Sequence, residues 1–185
     1  KSFPNNDYQL VGVDPTGKYF SSHYKNSIEL VDDFFSREVM SSYLADAKAK
    51  VITSFSMFYD LENPIEFAKD VEYCLDDEGI WFFEQSYLPS MLKKNSFDTI
   101  CHEHLEYYSL KQIIWILDRT NMKVLDVEFN NINGGSFSIT AAKKDSSHKI
   151  NLTTINKIIK DEKTFGLENL DVYRDFEKRI IDSKV

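Results

Sequence analysis

The sequence predicts an α/β protein built on a doubly wound, mostly parallel β-sheet that ends in an antiparallel strand. Three observations carry this expectation. Short β-branched or aromatic runs alternate with segments of helical periodicity over residues 8–119. The run Ile80-Trp81-Phe82-Phe83-Glu84 is apolar on both faces, as a central parallel strand is. After Arg119 the alternation stops, and a short Asn/Gly loop joins two strand-like segments.

Taken in order, residues 8–13 form the first strand, closed by Asp14-Pro15-Thr16-Gly17. Residues 27–31 are the second, leading into Asp32-Asp33-Phe34-Phe35-Ser36, where Ser36 can cap a helix running to about Ala47. The β-branched run at 50–55 is the third strand and opens into Ser56-Met57-Phe58-Tyr59-Asp60. Pro64 suits a first helical turn; Ile65, Phe67, Ala68, Val71 and Leu75 recur at helical spacing, with Gly79 as the stop. Strand 80–84 is followed by a loop through Pro89 and Asn95. Ser109 then caps a helix at 110–119 whose inner stripe is Ile113, Ile114, Ile116 and Leu117. Residues 122–129 and 137–142 make an antiparallel hairpin. Two helices at about 152–163 and 170–183 finish the chain, their charges read as a solvated face. The order β-α-β-α-β-α-β-α-β-β describes a Rossmann-like sheet. Residues 1–145 are assigned to it, and 146–185 to the helical start of a further domain.

Bulk properties narrow the function. An aromatic content of 14% and hydrophobic content of 42% argue against disorder. A net charge of −8 argues against a general nucleic-acid binder, which needs a basic face for phosphates. Two cysteines, Cys74 and Cys101, cannot build a disulfide framework and fit a reducing, cytoplasmic setting. No apolar run approaches the roughly 18 residues of a membrane span, so no membrane partner is expected. The chain opens at Lys1 without a methionine and is read as a piece of something longer. Nothing in it sets an oligomeric state.

Chemistry concentrates between Phe97 and Tyr108. That stretch holds two of the four histidines, one of the two cysteines and three carboxylates, so it is the first place to seek a proton-transfer group. It follows the predicted central strand, at the edge where open α/β sheets bind ligands. Asp14 ends the first strand, where an acidic side chain can hold ribose hydroxyls, although Asp before Pro serves a turn equally well. Asp33 and Phe34 end the second strand and can take an adenine by amino group and ring face. Ser54 and Ser56, around the end of the third, are candidate contacts for the rest of such a ligand. His102, His104 and Cys101 lack a third strong ligand at motif spacing, so no metal is expected in this chain.

These residues resemble a known family. Phe97-Asp98-Thr99-Ile100-Cys101-His102-Glu103-His104, then Tyr107-Tyr108-Ser109-Leu110, resembles the FDTIYHEH…YFSL motif of the sugar C-methyltransferases, which are class I S-adenosylmethionine-dependent enzymes. Glu84 with Tyr87-Leu88 resembles that family's E-x-PYL. Asn133-Gly134-Gly135-Ser136 resembles its GGS turn, and Val11-Gly12-Val13-Asp14-Pro15-Thr16 its ribose loop. The resemblance implies a three-part protein: a zinc-binding N-terminal domain, a methyltransferase domain and a C-terminal domain that helps hold a nucleotide-sugar. Zinc is then expected only in the N-terminal domain, and a first strand with its Gly-rich loop is expected before Lys1.

In family terms His104 is the general base, forming an enolate beside the ketone of a nucleotide-linked keto-deoxysugar, and Glu103 assists it. Cys101 and Asp60 stand where relatives carry Tyr and His, so both are catalytic candidates and both put the acceptor in question. Tyr59, Glu84, Tyr87, His102, Asn133, Gly134 and Gly135 are candidate substrate contacts. Two rival functions remain: methylation of another acidic carbon or an oxygen, and a nucleotide-binding module without catalysis. The intact Glu103-His104 pair speaks against the second, because a polar cluster beside a core strand is costly to keep.

Overall fold

The computed structural model describes residues 8–23, 28–45 and 47–183. The chain divides into two compact units, residues 1–47 and 48–185, each described by itself.

In the first unit, β1 (Leu10–Val13) and β2 (Ile28–Val31) pair in parallel, from Leu10 opposite Ile28 to Val13 opposite Val31. Ser27, expected at the start of β2, lies outside the described residues. The Asp14 N–H extends the pairing by donating to the Val31 carbonyl at 3.0 Å. Helix α1 (Arg37–Leu44) begins as expected at Ser36, whose hydroxyl accepts the Val39 N–H at 3.2 Å. It stops short of Ala47, because Ala45 turns to φ 51° and ends the helical hydrogen bonding.

The second unit holds a four-stranded sheet in the order β3-β4-β6-β5. Strand β3 (Ala49–Phe55) pairs in parallel with β4 (Leu75–Ser86), and helix α2 (Pro64–Cys74) connects them. Asn63 caps α2 with its side-chain oxygen on the Glu66 N–H, and Pro64 occupies the first turn. Helix α2 ends at Cys74, and β4 begins at Leu75 rather than Ile80. Gly79 is therefore inside the strand and not the helix stop. A Cβ there would sit 2.8 Å from the Ala49 carbonyl oxygen, so the close approach of two strand backbones explains the glycine. Between Leu75 and Ile80 the register slips while Asp76 closes a turn onto the Glu78 N–H at 3.0 Å.

Strands β5 (Met122–Asn130) and β6 (Ser136–Lys143) form the expected antiparallel hairpin, and β6 inserts between β4 and β5. Helix α4 (Leu110–Arg119) packs against β5, burying Leu110, Ile113, Ile116 and Leu117. Trp81 and Phe83, alternate residues of β4, stack at 4.1 Å and meet Phe58 at 5.6 and 5.4 Å; this aromatic layer is the heart of the core. Gln85 and Tyr108 also bury polar side-chain atoms, without a hydrogen-bond partner among the described residues.

Two further findings depart from the sequence expectation. The segment after β4 is a helix, α3 (Leu88–Lys94), instead of a loop. Pro89 lies in its first turn, where its fixed φ helps, and Asn95 closes it in the left-handed region at φ 55°. The charges of the last helices, α5 (Leu152–Phe165) and α6 (Leu170–Asp182), are not all solvated. Glu162 of α5 is 5% exposed, and its carboxylate accepts from the Tyr87 hydroxyl (2.9 Å) and from the Leu110 and Lys111 N–H groups (2.7 and 3.2 Å). Helix α6 lays Phe176 against Leu88, Met91 and Leu92 of α3, with Tyr107 packed on the same cluster.

Candidate active site

Parallel pairing sets the geometry on each unit. In the first, Asp14 follows β1 and Asp33 and Phe34 follow β2, so all three stand at one sheet edge. One Asp14 oxygen accepts the Thr16 N–H and hydroxyl, both at 2.8 Å, and thereby closes the turn. Asp33 accepts the Phe34 N–H at 2.7 Å, and the Phe34 ring is 73% exposed beside it. A pair of carboxylates with an open aromatic face suits a ribose and a flat base.

In the second unit the residues after β3 and at the end of β4 share an edge, since Phe55 pairs with Glu84 and the Ser56 N–H donates to the Glu84 carbonyl at 2.9 Å. Ser56 adopts φ 50°, turning the chain sharply off the strand into a 3-10 turn, Phe58–Asp60. The Tyr59 carbonyl then accepts the N–H groups of both Leu105 and Glu106, at 3.0 and 3.1 Å. That pair of bonds brings the histidine stretch onto the end of β3. The Tyr59 and His104 rings lie 4.4 Å apart.

His104 is held at one nitrogen. Its Nδ1 lies 2.7 Å from the Thr99 carbonyl oxygen, an acceptor only, so Nδ1 carries the proton and Nε2 keeps its lone pair. The Tyr107 hydroxyl donates to the same carbonyl at 3.2 Å, and its ring lies 6.5 Å from the imidazole. Asp60 is solvent-exposed, and the partial desolvation of its carboxyl raises it above its ordinary range; nearby His104 opposes this and Glu103 adds to it. Tyr59 is raised, chiefly by burial, against a hydrogen bond from Ser56 that lowers it. His104, Tyr59, Asp60, Glu103 and Cys101 thus form one neighbourhood. Cys101, His102 and Glu103 are exposed, while His104 is half-buried. Among the described residues, no group of three His, Cys, Asp or Glu side chains is placed to hold a metal ion.

Glu84 is clamped across the sheet: its Oε2 accepts from Asn130 Nδ2 at 2.7 Å and from Ser138 Oγ at 3.0 Å. Four other candidates have structural partners or packing reasons of their own. The Ser54 hydroxyl, 8% exposed, accepts the Trp81 indole N–H at 3.1 Å. Tyr87 is buried, and its hydroxyl is committed to Glu162; desolvation first, and the Glu162 carboxylate second, drive the phenol pKa far up. Gly134 and Gly135 occupy φ 79° and 128°, and Cβ atoms there would come 2.7 Å from Ser96 Oγ and from Ser90 Cβ, so close packing on the α3 region already requires both. Neighbouring Asn133, also at positive φ, completes this turn.

Sequence reasoning gave no site role to Thr99, Asn130 or Glu162, and took Tyr107 for a ring that excludes water rather than for a hydrogen-bond donor. Thr99 acts through its carbonyl, which leaves no side-chain signature. Asn130 had one faint signal, its place at the mouth of an Asn/Gly turn.

Comparisons with known proteins bear on the family and the fold. A family profile described as "Methyltransferase domain" matches residues 3–127, and one described as "C-methyltransferase C-terminal domain" matches residues 131–185. The chain is 27% identical over 169 residues to C-methyltransferase NovU of Streptomyces niveus, covering 91% of this chain and 40% of that protein. The chain therefore spans well under half the length of this relative. Among solved structures, LepI in complex with S-adenosylmethionine superposes with a TM-score of 0.60 at 11% identity, over 76% of this chain and 37% of that one. The plantazolicin methyltransferase BpumL, solved with S-adenosylhomocysteine, gives 0.52 at 13% identity, over 73% and 67%. At such identities these two speak to the fold alone. With a sheet ended by an inserted antiparallel strand and a family profile spanning residues 3–127, the chain belongs to the methyltransferase domain family.

Proposed function

We propose that this chain is the central part of a C-methyltransferase that acts on the carbon beside the ketone of a nucleotide-linked keto-deoxysugar. The observation that carries the reading is the anchored imidazole. With Nδ1–H donated to the Thr99 carbonyl, Nε2 is the acceptor. A carbon next to a ketone is acidic enough for such a base, and the proton leaves as an enolate forms on the substrate. Asp14, Asp33 and Phe34 are the residues to hold the ribose and adenine of S-adenosylmethionine. When bound, that cofactor supplies an electrophilic methyl group. Tyr59 and Tyr107 flank the imidazole and limit water at Nε2. Glu84, held by Asn130 and Ser138, presents a fixed carboxylate for substrate hydroxyls. Glu103, His102 and Cys101 line the exposed side, where an acceptor would enter.

One observation favours a second reading of the acceptor. Asp60 stands beside His104 with its carboxyl raised by partial desolvation, so a second proton-accepting group is present where relatives have an imidazole. This suits a different acidic carbon, or an oxygen acceptor.

Full-length protein incubated in deuterium oxide with a 4-keto nucleotide-sugar should wash deuterium into the carbon beside the ketone. His104→Asn should slow that exchange by about 10²–10⁴-fold, the usual contribution of a positioned base. Its affinity for the cofactor, read by calorimetry, should stay near that of the unaltered protein. Exchange at the native rate in His104→Asn would remove His104 as the base and leave Asp60 the next candidate.

A further inference from the structure

We propose that Tyr107 is the positioning residue for His104, acting through the Thr99 carbonyl. The inference rests on the reading of His104 as the base and deepens it. The segment between Thr99 and His104 is irregular: a 3-10 turn, Phe97–Thr99, is followed by bends, so no helix or strand ladder orients it. Two side chains converge on one backbone oxygen in this segment. His104 Nδ1 reaches the Thr99 carbonyl at 2.7 Å, and the Tyr107 hydroxyl reaches it at 3.2 Å. A carbonyl oxygen has two lone pairs, so both donors can be satisfied together. The Cys101 amide makes a further contact to the Tyr107 oxygen, so the hydroxyl touches the turn on both sides of Ile100.

Tyr107 can serve as an anchor because its own position is fixed from behind. Its ring packs on the cluster of Leu88, Met91, Leu92 and Phe176, formed by α3 and α6. Next to it, the Tyr108 carbonyl accepts the Leu88 N–H at 2.9 Å, and Ser109 starts α4. The rigid end of the stretch thus reaches back to its irregular end. A free imidazole places its proton on either nitrogen; here the held carbonyl selects Nδ1–H and leaves Nε2 bare. Without the hydroxyl, the carbonyl is free to rotate from the imidazole, and the selection is lost.

The test is long-range ¹H–¹⁵N correlation on full-length protein labelled at histidine, with His104 assigned by its absence in His104→Asn. The unaltered protein should show His104 as the Nδ1–H tautomer. Tyr107→Phe should give a mixture, or an Nε2–H form, while His148 signals and far-ultraviolet dichroism stay unchanged. Para-aminophenylalanine at position 107 restores an N–H donor and should restore the Nδ1–H form. Deuterium wash-in to a 4-keto nucleotide-sugar should fall by about 10²-fold in Tyr107→Phe, the scale for a displaced catalytic group. An unchanged tautomer in Tyr107→Phe overturns the proposal. So does an Nε2–H form in the unaltered protein, which decides the matter even where Tyr107→Phe does not fold. The tautomer reports on Tyr107 alone, and wash-in by His104→Asn reports on the base, so the two ideas fail separately.

Discussion

Replacing Glu162 by Gln keeps shape and removes charge at the junction of α4, α5 and the start of α3. In the native chain Oε1 accepts from Tyr87 and from the Leu110 N–H, and Oε2 accepts from the Lys111 N–H at the N-terminus of α4. A helix N-terminus carries partial positive charge, so an anion there is favoured. Hydrogen bonds to a charged group contribute roughly 1.5–3 kcal/mol each. Glutamine retains one oxygen for the Oε1 partners and turns an amide N–H toward Lys111, so one charged bond is lost and the other two weaken. The expected destabilisation is about 2–3 kcal/mol. Glu162→Leu orphans all three donors and should cost more, at least about 3 kcal/mol, since an unpaired buried donor costs about 1–3 kcal/mol. Urea unfolding of the full-length protein should show the midpoint falling with an unchanged slope. Glu177→Gln, on the exposed face of α6, is the control and should stay within about 0.5 kcal/mol. A Glu162→Gln protein as stable as that control would refute the reasoning, because the carboxylate would then be doing nothing that a neutral amide cannot.

Other outcomes follow from the same geometry. Asp14→Ala in full-length protein should weaken S-adenosylmethionine binding in calorimetry and leave the fold intact; unchanged affinity would remove the ribose role. Asp60→Asn should be more stable than the parent at neutral pH by no more than about 0.5 kcal/mol, because Asp60 is exposed and water screens most of the penalty. Partial desolvation raises the folded pKa above the ordinary 3.8, so the folded state holds its proton more tightly, and the parent gains stability as pH falls through that raised value. The advantage of Asn should therefore vanish below 3.8, which unfolding curves at several pH values would check. Gly135→Ala, at φ 128° and facing Ser90, should lower stability by about 1–3 kcal/mol in urea, and a neutral result would mean that the turn relaxes freely.

What the sequence made legible was local. The β5–β6 hairpin was readable because an Asn/Gly turn separates two apolar runs, and α4 because Ser109 precedes a helical stripe. Residues 75–79 were not, since they continue a helical pattern up to a glycine. Only the approach of β3 explains why that glycine belongs to a strand. Pro89 was read as a loop marker, although a proline in a first turn starts a helix equally well. In the site, His104 and Asp60 declare themselves by residue type. Their surroundings do not, since a backbone carbonyl orients the imidazole. Tyr87 resembled a ligand contact because its partner, Glu162, lies 75 residues away on a helix whose charges look like an ordinary polar face. Pairings at that separation leave no periodic trace.

The boundary between the two family profiles has a practical consequence. It falls at residues 127–131, inside the β5–β6 hairpin. The first profile thus ends on β5, yet the strand that joins β5 to β4 belongs to the second. Cutting the gene there would leave β4 and β5 as two open edges with no common neighbour. Chimeras between relatives that exchange acceptor-binding halves at this homology boundary should therefore misfold or aggregate. Crossovers placed after Lys143, beyond the last strand, would keep the sheet in one piece and should yield soluble hybrids.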